Sequence, residues 1–153
     1  MKKILIATDG SASSAEAVDF GVELAEEHEA AVILVHVAPA TDVLPMAGYG
    51  LGGGVPRVAH EVTEYDRVSL EEATEVASEH GVHASTKLLV GDTVDEIVAY
   101  ADTEDVDMIV VGSRGHGALA SALLGSVSRG VLSESKRPVM IVRGQAAVPV
   151  GAS

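Results

Sequence analysis

The sequence predicts an α/β fold: an open, doubly wound sheet of five parallel strands in the order 3-2-1-4-5, with helices on both faces. Five short runs of apolar, mostly branched residues recur along the chain, and four are continuous rather than alternating, which is typical of strands covered on both faces. Segments with a helical period lie between the runs, and alternating strands and helices form parallel sheets with right-handed crossovers. The predicted strands are residues 4–7, 32–35, 87–90, 108–111 and 139–142.

The first and third helices are predicted from capping boxes, in which a hydroxyl side chain and a glutamate three residues later satisfy free amide groups. Ser13 and Glu16 form this pattern before the first helix, and Thr93 and Glu96 form it before the third. The apolar residues that follow each box recur with the helical period. Both helices are therefore expected to begin at these boxes.

The second helix is predicted from about Arg57 to His80, and Gly81 ends it. Its apolar side is predicted to include positions 58, 62, 65, 73 and 76. The fourth helix is predicted to begin near Ser126 and to stop before Pro138, which suits the start of the last strand.

The length and composition of the chain fit one domain. The chain has 153 residues, of which 47% are apolar. We expect a single domain over residues 1–144 and a disordered tail over residues 145–153. Residues 39–56 are rich in glycine and proline, and a connection of this length is either a lid or a tolerated insertion. The absence of cysteine excludes disulfides and thiolate metal sites.

The chain is strongly acidic. It has 10 basic and 23 acidic residues, a net charge of 10 − 23 = −13, which argues against binding to nucleic acid or to anionic membranes. This balance is typical of proteins from salt-loving organisms, and an ordinary acidic cytosolic protein is the alternative. The apolar run after the first three residues is too short for a signal peptide, and no run approaches the roughly 20 residues of a membrane span. A cytoplasmic location is expected.

A glycine-rich stretch, GSRGHGALASALLGS, follows the fourth predicted strand and carries a positive charge. In the predicted strand order, the ligand crevice lies between the first and fourth strands, where the order reverses. The first strand ends in Thr8-Asp9-Gly10-Ser11, so these two segments should face each other. Glycine residues leave the main-chain amides accessible, and together with a positive charge and the start of a helix they favour a phosphate site.

The spacing of this stretch is specific. Gly112-x2-Gly115-x9-Gly125-Ser126 matches GxxGx9G[ST], the nucleotide-binding signature of the universal stress protein family, which the chain resembles over nearly its whole length. The resemblance includes ILIATDGS in the first strand, VILVHV in the second, DMIVVGSRG in the fourth, LLGSVS before the last helix and RPVMIV in the last strand.

This resemblance implies that the protein binds ATP or a related adenine nucleotide, with Mg²⁺ as a possible companion. Asp9 would lie near the ribose, the phosphates or the Mg²⁺, although it also suits a turn carboxylate. The main chain of Val37 would read the adenine edge, unless this residue merely packs at the strand end. The full set of implied site residues is Ala7, Thr8, Asp9, Val37, Val111, Gly112, Arg114, Gly115, Gly125, Ser126, Val127 and Ser128.

The resemblance also implies a homodimer that pairs its last strands antiparallel. The contact residues would be Val139, Ile141 and Arg143, on an apolar edge that a monomer would expose.

Other interpretations of the motifs are weaker. Residues 115–120 match the dinucleotide fingerprint GxGxxA, but that fingerprint belongs after the first strand of a larger sheet. Gly125 and Ser126 can be explained as a simple helix cap. His80-x2-His83 has a metal-ligand spacing, but a solvated turn explains it better, and no metal site is expected.

No catalytic residues are predicted, and the leading interpretation is a nucleotide-dependent stress-response or signalling protein rather than an enzyme. A slow ATPase, or an enzyme that phosphorylates itself on Ser121 or Ser126, is the alternative. A third hypothesis is an adaptor for an unidentified protein partner, in which ATP is structural and residues 39–56 recognise the partner.

Overall fold

A computed structural model describes residues 1–40, 63–113 and 124–143. Its five strands form one sheet in the order β3-β2-β1-β4-β5, and every pair of neighbours is parallel. The predicted fold class and strand order are thereby confirmed. The elements are β1 Lys3–Ala7, α1 Ala12–His28, β2 Ala31–Ala38, α2 Glu64–Glu79, β3 Ala84–Val90, α3 Thr93–Thr103, β4 Met108–Gly112, α4 Ser126–Glu134 and β5 Val139–Val142.

Two hydrophobic clusters sandwich the sheet. Alternate residues of β1, such as Ile4 and Ile6, face α1 and α2, whereas Leu5 between them faces α3 and α4. Both faces of the central strands are therefore covered, and this explains why their sequences are continuously apolar. Ile4, Leu5 and Ile6 have no exposed surface, and each buried side chain of this size stabilises the fold by about 1.5–3 kcal/mol.

Two of the predicted helix starts were wrong by one or two residues. The cap of α1 is Ser11, not Ser13, because the N–H of Ser14 donates to Ser11 Oγ at 3.2 Å. The cap of α3 is Asp92, not Thr93, because the N–H of Asp95 donates to Asp92 Oδ1 at 3.0 Å. In both places two suitable capping residues lie close together, and the turn before the helix selects the earlier one.

Helix α2 begins later than about Arg57, the predicted start. Thr63 has extended backbone and forms a capping box with Asp66, so the helix begins at Glu64. Residues 57–62, like residues 41–56 of the long connection and the predicted tail, lie outside the described residues. The predicted end is confirmed, since α2 stops at Glu79 and Gly81 follows with a φ of +65°.

Within residues 1–40, 63–113 and 124–143, no helix is both long enough and apolar enough to cross a membrane.

Candidate functional site

The carboxyl ends of β1 and β4 lie side by side, with Ile6 paired to Val110. Beyond this pair the two connections diverge, because α1 packs on one face of the sheet and α4 on the other. Doubly wound folds bind their ligands in the crevice that such a divergence creates. The structure therefore brings together the predicted positions 7–9 and 111–112 at the mouth of one crevice.

The turn after β1 satisfies its own main-chain amides. The N–H of Asp9 donates to Ser14 Oγ at 3.2 Å, and the N–H of Gly10 donates to Thr8 Oγ1 at 3.3 Å. The N–H of Ser11 donates to Asp9 Oδ1 at 2.9 Å. The two hydroxyl groups also contact each other at 3.2 Å. This side of the crevice is therefore a preformed wall whose amides are engaged without a ligand.

Asp9 is a turn carboxylate, which was one of the two interpretations that the sequence left open. Its carboxylate holds the N–H of Ser11, the residue that caps α1. The side chain is half-buried at the end of β1 and belongs to the crevice by position. Its role beside ribose, phosphates or Mg²⁺ stays a prediction.

Gly112 has a packing role that the sequence did not indicate. A Cβ atom on this residue would lie 2.7 Å from Ser13 Oγ and 2.8 Å from the main-chain oxygen of Ser13. Real Cβ atoms do not come this close to main chain, so β4 and the first turn of α1 can meet only because Gly112 has no side chain. The phosphate contact that the family signature implies for Gly112 stays a prediction.

The other side of the crevice is built by the start of α4. The N–H of Gly125 donates to the oxygen of Ser113 at 2.7 Å, which fixes the helix start beside the end of β4. Ser128 is buried, and its hydroxyl donates to the oxygen of Gly125 at 2.9 Å and to that of Ser113 at 3.3 Å. Ser128 therefore anchors the helix, and the hydroxyl contact with phosphate expected of it stays a prediction.

The first turn of α4 has no side-chain cap in the part of the chain that the structure describes. Gly125 occupies the cap position with extended backbone and has no side chain that could accept from the helix. The other described helices are capped by a hydroxyl or a carboxylate, which come from Ser11, Thr63 and Asp92. Uncapped amides at a helix start carry partial positive charge and favour an anion.

The predicted apolar site residues share one cluster. Ala7, Val37 and Val127 are partly buried, and they pack against the cluster that contains the buried Val111. These four residues come from β1, β2, α4 and β4. They form an apolar patch beside the polar ends of the crevice.

Val37 lies two residues after Val35, which makes the last main-chain contact between β1 and β2. That contact runs from the N–H of Thr8 to the oxygen of Val35 at 2.8 Å. Amide groups alternate in direction along a strand, so the N–H and C=O of Val37 also point to the β1 side, past the end of that strand. The next hydrogen bond of the ladder, from Val37 to Thr8, is not formed between these two described residues. The main chain of Val37 therefore faces the crevice.

Sequence reasoning missed a buried polar group behind this wall. His36 is 5% exposed, its Nδ1 lies 2.9 Å from the oxygen of Thr8, and its Nε2 lies 2.7 Å from Asp66 Oδ1. Tyr65, which was predicted on the apolar side of α2, is half exposed and donates its hydroxyl to the oxygen of Asp9. Burial of the Tyr65 hydroxyl, followed by the charge of Asp9, raises the pKa of this phenol. The T-x-x-D pattern at residues 63–66 was the available signal.

The remaining predicted residues fall into two groups. Arg114, Gly115 and Ser121 lie outside the described residues. His80 makes an ion pair with Glu26 at 2.7 Å, on the surface between α1 and α2. No cluster of three or more potential metal ligands occurs among residues 1–40, 63–113 and 124–143.

The fold defines a doubly wound α/β protein with a crevice at the reversal of strand order. Residues 1–143 match the model of the universal stress protein family. The chain is 39% identical over 145 residues to the universal stress protein YxiE of Bacillus subtilis, a match that covers 92% of this chain and 98% of the relative.

Two solved structures share the fold at similar length. One is a universal stress protein in complex with cAMP, with 29% identity, a TM-score of 0.68 and coverage of 92% of this chain and 95% of that one. The other is the universal stress protein of Archaeoglobus fulgidus in complex with dAMP, with 25% identity, a TM-score of 0.61 and coverage of 92% and 97%.

The chain therefore belongs to the universal stress protein family, as its sequence motifs indicated.

Proposed function

We propose that the crevice between β1 and β4 binds ATP, and that the bound nucleotide regulates the protein's contacts rather than serving as a substrate. The observation that carries this proposal is the uncapped start of α4 beside the apolar patch. The chain has a net charge of −13, so most of its surface repels anions. A helix start without a side-chain cap among the described residues would attract an anion to this crevice specifically.

The phosphates would lie at the first turn of α4. The N–H groups of Ser126, Val127 and Ser128 belong to that turn and have no side-chain cap among the described residues, and phosphate oxygens are suitable acceptors for them. The exposed hydroxyl of Ser126 can add a donor. Gly112, Arg114 and Gly115 would complete this end of the site, as the family signature implies.

The adenine would lie over the apolar patch of Ala7, Val37, Val111 and Val127. A purine ring buries apolar surface on its faces and needs hydrogen bonds at its edge. The main-chain groups of Val37 face the crevice at the border of the patch, so they suit the edge of the base. Known relatives in complex with cAMP and dAMP support a base of this kind.

Asp9 is the carboxylate that the family resemblance assigns to Mg²⁺ or ribose at the polar wall. One of its oxygens accepts from Ser11, so Asp9 would contact the ligand without leaving the turn. A carboxylate whose orientation is fixed by the fold suits contact with a metal ion or with ribose. The proposal treats any slow hydrolysis as a side reaction, and ADP release measures it.

A homodimer through β5 is the second part of the proposal. In the described sheet β5 pairs with β4 along one edge, and its four residues are all partly exposed. Val139, Ile141 and Arg143 are the residues expected at the two-fold contact. An open apolar edge favours pairing with a second copy. Light scattering in low and high salt should show a dimer, and a monomer in both would contradict it.

The experiment that tests the site is identification of the nucleotide that copurifies with the protein. The stripped protein is then titrated with ATP, AMP, cAMP, dAMP and GTP by calorimetry at low and high salt. The proposal predicts an adenine nucleotide in the purified protein and tighter binding of ATP than of GTP. No binding of any adenine nucleotide would overturn it, and fast ADP release would favour the enzyme alternative.

A further inference from the structure

His36 lies behind the nucleotide site, where it links the end of β1, strand β2 and helix α2. Its two hydrogen bonds determine how many protons His36 and Asp66 hold together. The partner of Nδ1 is the oxygen of Thr8, a carbonyl that only accepts, so Nδ1 carries a proton. Across the contact with Asp66, either Nε2 donates to a carboxylate or a carboxylic acid donates to Nε2. Both arrangements place two protons on the pair. A free histidine and a free aspartate mostly share one at neutral pH.

The second proton belongs to the imidazole. Asp66 Oδ2 accepts from the N–H of Thr63 at 3.0 Å and from its hydroxyl at 2.7 Å. Hydrogen bonds that point at a carboxyl group favour its ionised form. His36 is therefore an imidazolium that donates through both nitrogens, and Asp66 is its counterion.

This imidazolium ends the ladder between β1 and β2 one hydrogen bond early. The next bond would run from the N–H of Val37 to the oxygen of Thr8, and His36 donates to that oxygen instead. The N–H of Val37 is consequently left for a ligand in the crevice.

The first turn of α2 supports the same wall at the next two residues. Tyr65 donates its hydroxyl to the oxygen of Asp9. Gly10 has a φ of +79°, and a Cβ atom there would lie 2.6 Å from the Tyr65 hydroxyl and 2.7 Å from Ser69 Oγ. Helix α2 thus lies directly against the turn that carries Asp9, and a change at its first turn reaches the site.

We propose that His36 and Asp66 are positioning residues of the nucleotide site, a role that rests on the proposed function. With two protons, the pair holds the oxygen of Thr8 and keeps the N–H of Val37 available to the adenine edge. A side chain at position 36 that cannot donate to Thr8 would release this oxygen. The oxygen of Thr8 would then accept from Val37, the ladder would close, and the affinity for ATP would fall.

The test compares the ATP affinity of the wild type with that of Asp66→Asn. An asparagine amide can donate to neutral His36 while its oxygen accepts from Thr63, so both contacts survive with one proton. Asp66→Asn should therefore bind ATP nearly as tightly as the wild type does.

Two further variants separate positioning from general damage. His36→Gln can donate to Asp66 but cannot reach Thr8 as well, so it should bind ATP about tenfold more weakly than the wild type, the value of one lost hydrogen bond. His83→Gln changes an exposed histidine outside the site and should keep the wild-type affinity. Equal ATP affinities of His36→Gln and the wild type would overturn the proposal.

A ligand-free measurement distinguishes this proposal from failure of the proposed function. Nitrogen NMR of the His36 ring should show protons on both nitrogens. A single protonated nitrogen would overturn the proton count. If ATP binds to none of the proteins, the proposed function fails and the positioning role fails with it, whereas equal binding by the wild type and His36→Gln removes only the positioning role.

Discussion

The two helices that begin at the crevice start in opposite ways. At α1, hydroxyl and carboxylate side chains accept from every amide of the turn from Asp9 to Ser11, and Ser11 caps the helix. At α4, Gly125 caps the helix without a side chain. The family resemblance includes both strands that lead into these helices, but the two helix starts differ physically. The turn after β1 satisfies its own amides, whereas the start of α4 has no side-chain cap among the described residues, which favours an anion.

Residues that the family resemblance assigns to one site therefore have different structural roles. Gly112 admits the first turn of α1, and Ser128 ties α4 to the end of β4. Gly125 leaves the helix amides open. A glycine of the family motif can therefore be required for packing as well as for a phosphate contact.

Filling the open cap should have the largest effect. Gly125→Asp places a carboxylate at a cap whose φ of −66° suits any residue, where it accepts from the helix amides and repels phosphate. We expect ATP affinity to fall by about 100-fold or more, while the free energy of unfolding changes by only a few tenths of a kcal/mol. Calorimetry and denaturant melts measure the two quantities. Gly125→Asn, a neutral cap of the same shape, should lose less affinity, and equal binding by all three proteins would remove the distinction between the helices.

Gly112→Ala should destabilise the protein without any ligand. The new methyl group meets main-chain atoms of Ser13, which cannot rotate away, and overpacking of this kind costs about 1–3 kcal/mol. Gly21→Ala is the matched control, because its methyl group meets the flexible end of Ile6 and gains helix propensity. Urea unfolding of the ligand-free proteins should therefore show a larger loss for Gly112→Ala. Equal stabilities would return Gly112 to a purely phosphate-related role.

Removing an ordinary cap should lower stability alone. Asp92→Ala deletes the acceptor for the N–H of Asp95 at the start of α3, which costs about 1 kcal/mol in the free energy of unfolding. ATP affinity should not change, because α3 follows the edge strand β3, which β2 separates from β1 and the crevice. A weakened affinity would show that the crevice responds to helix stability in general rather than to the α4 cap.

The smallest expected effect is a pH dependence far from the crevice. The hydrogen bond that His80 donates to the Glu26 carboxylate raises the pKa of His80 above its ordinary value, so the protonated form stabilises the folded state. This contribution is complete below the unfolded pKa, which is about 6.5, and is lost as pH rises through the raised folded value. Melting temperatures over this range should fall slightly more for the wild type than for Glu26→Gln. Parallel curves would mean that this exposed pair contributes nothing measurable.

The strand order and the crevice could be predicted because they follow from continuous apolar runs and from crossover rules. The exact caps could not, because Ser11 and Ser13 are equally suitable by sequence and only the Asp9 turn selects one. His36 was missed for a different reason. Its importance depends on a contact with Asp66, 30 residues away, and periodicity carries no information on such a contact.

The most direct test of this account is an NMR comparison of the main-chain amides in the presence of ATP and of adenosine. The two ligands share the base and ribose, so the difference between their shifts reports the phosphates. We predict that Ser126, Val127 and Ser128 show the largest differences, and that Gly10 and Ser11 change little because their amides are already engaged. Large differences at Gly10 and Ser11, with none at the start of α4, would contradict the account.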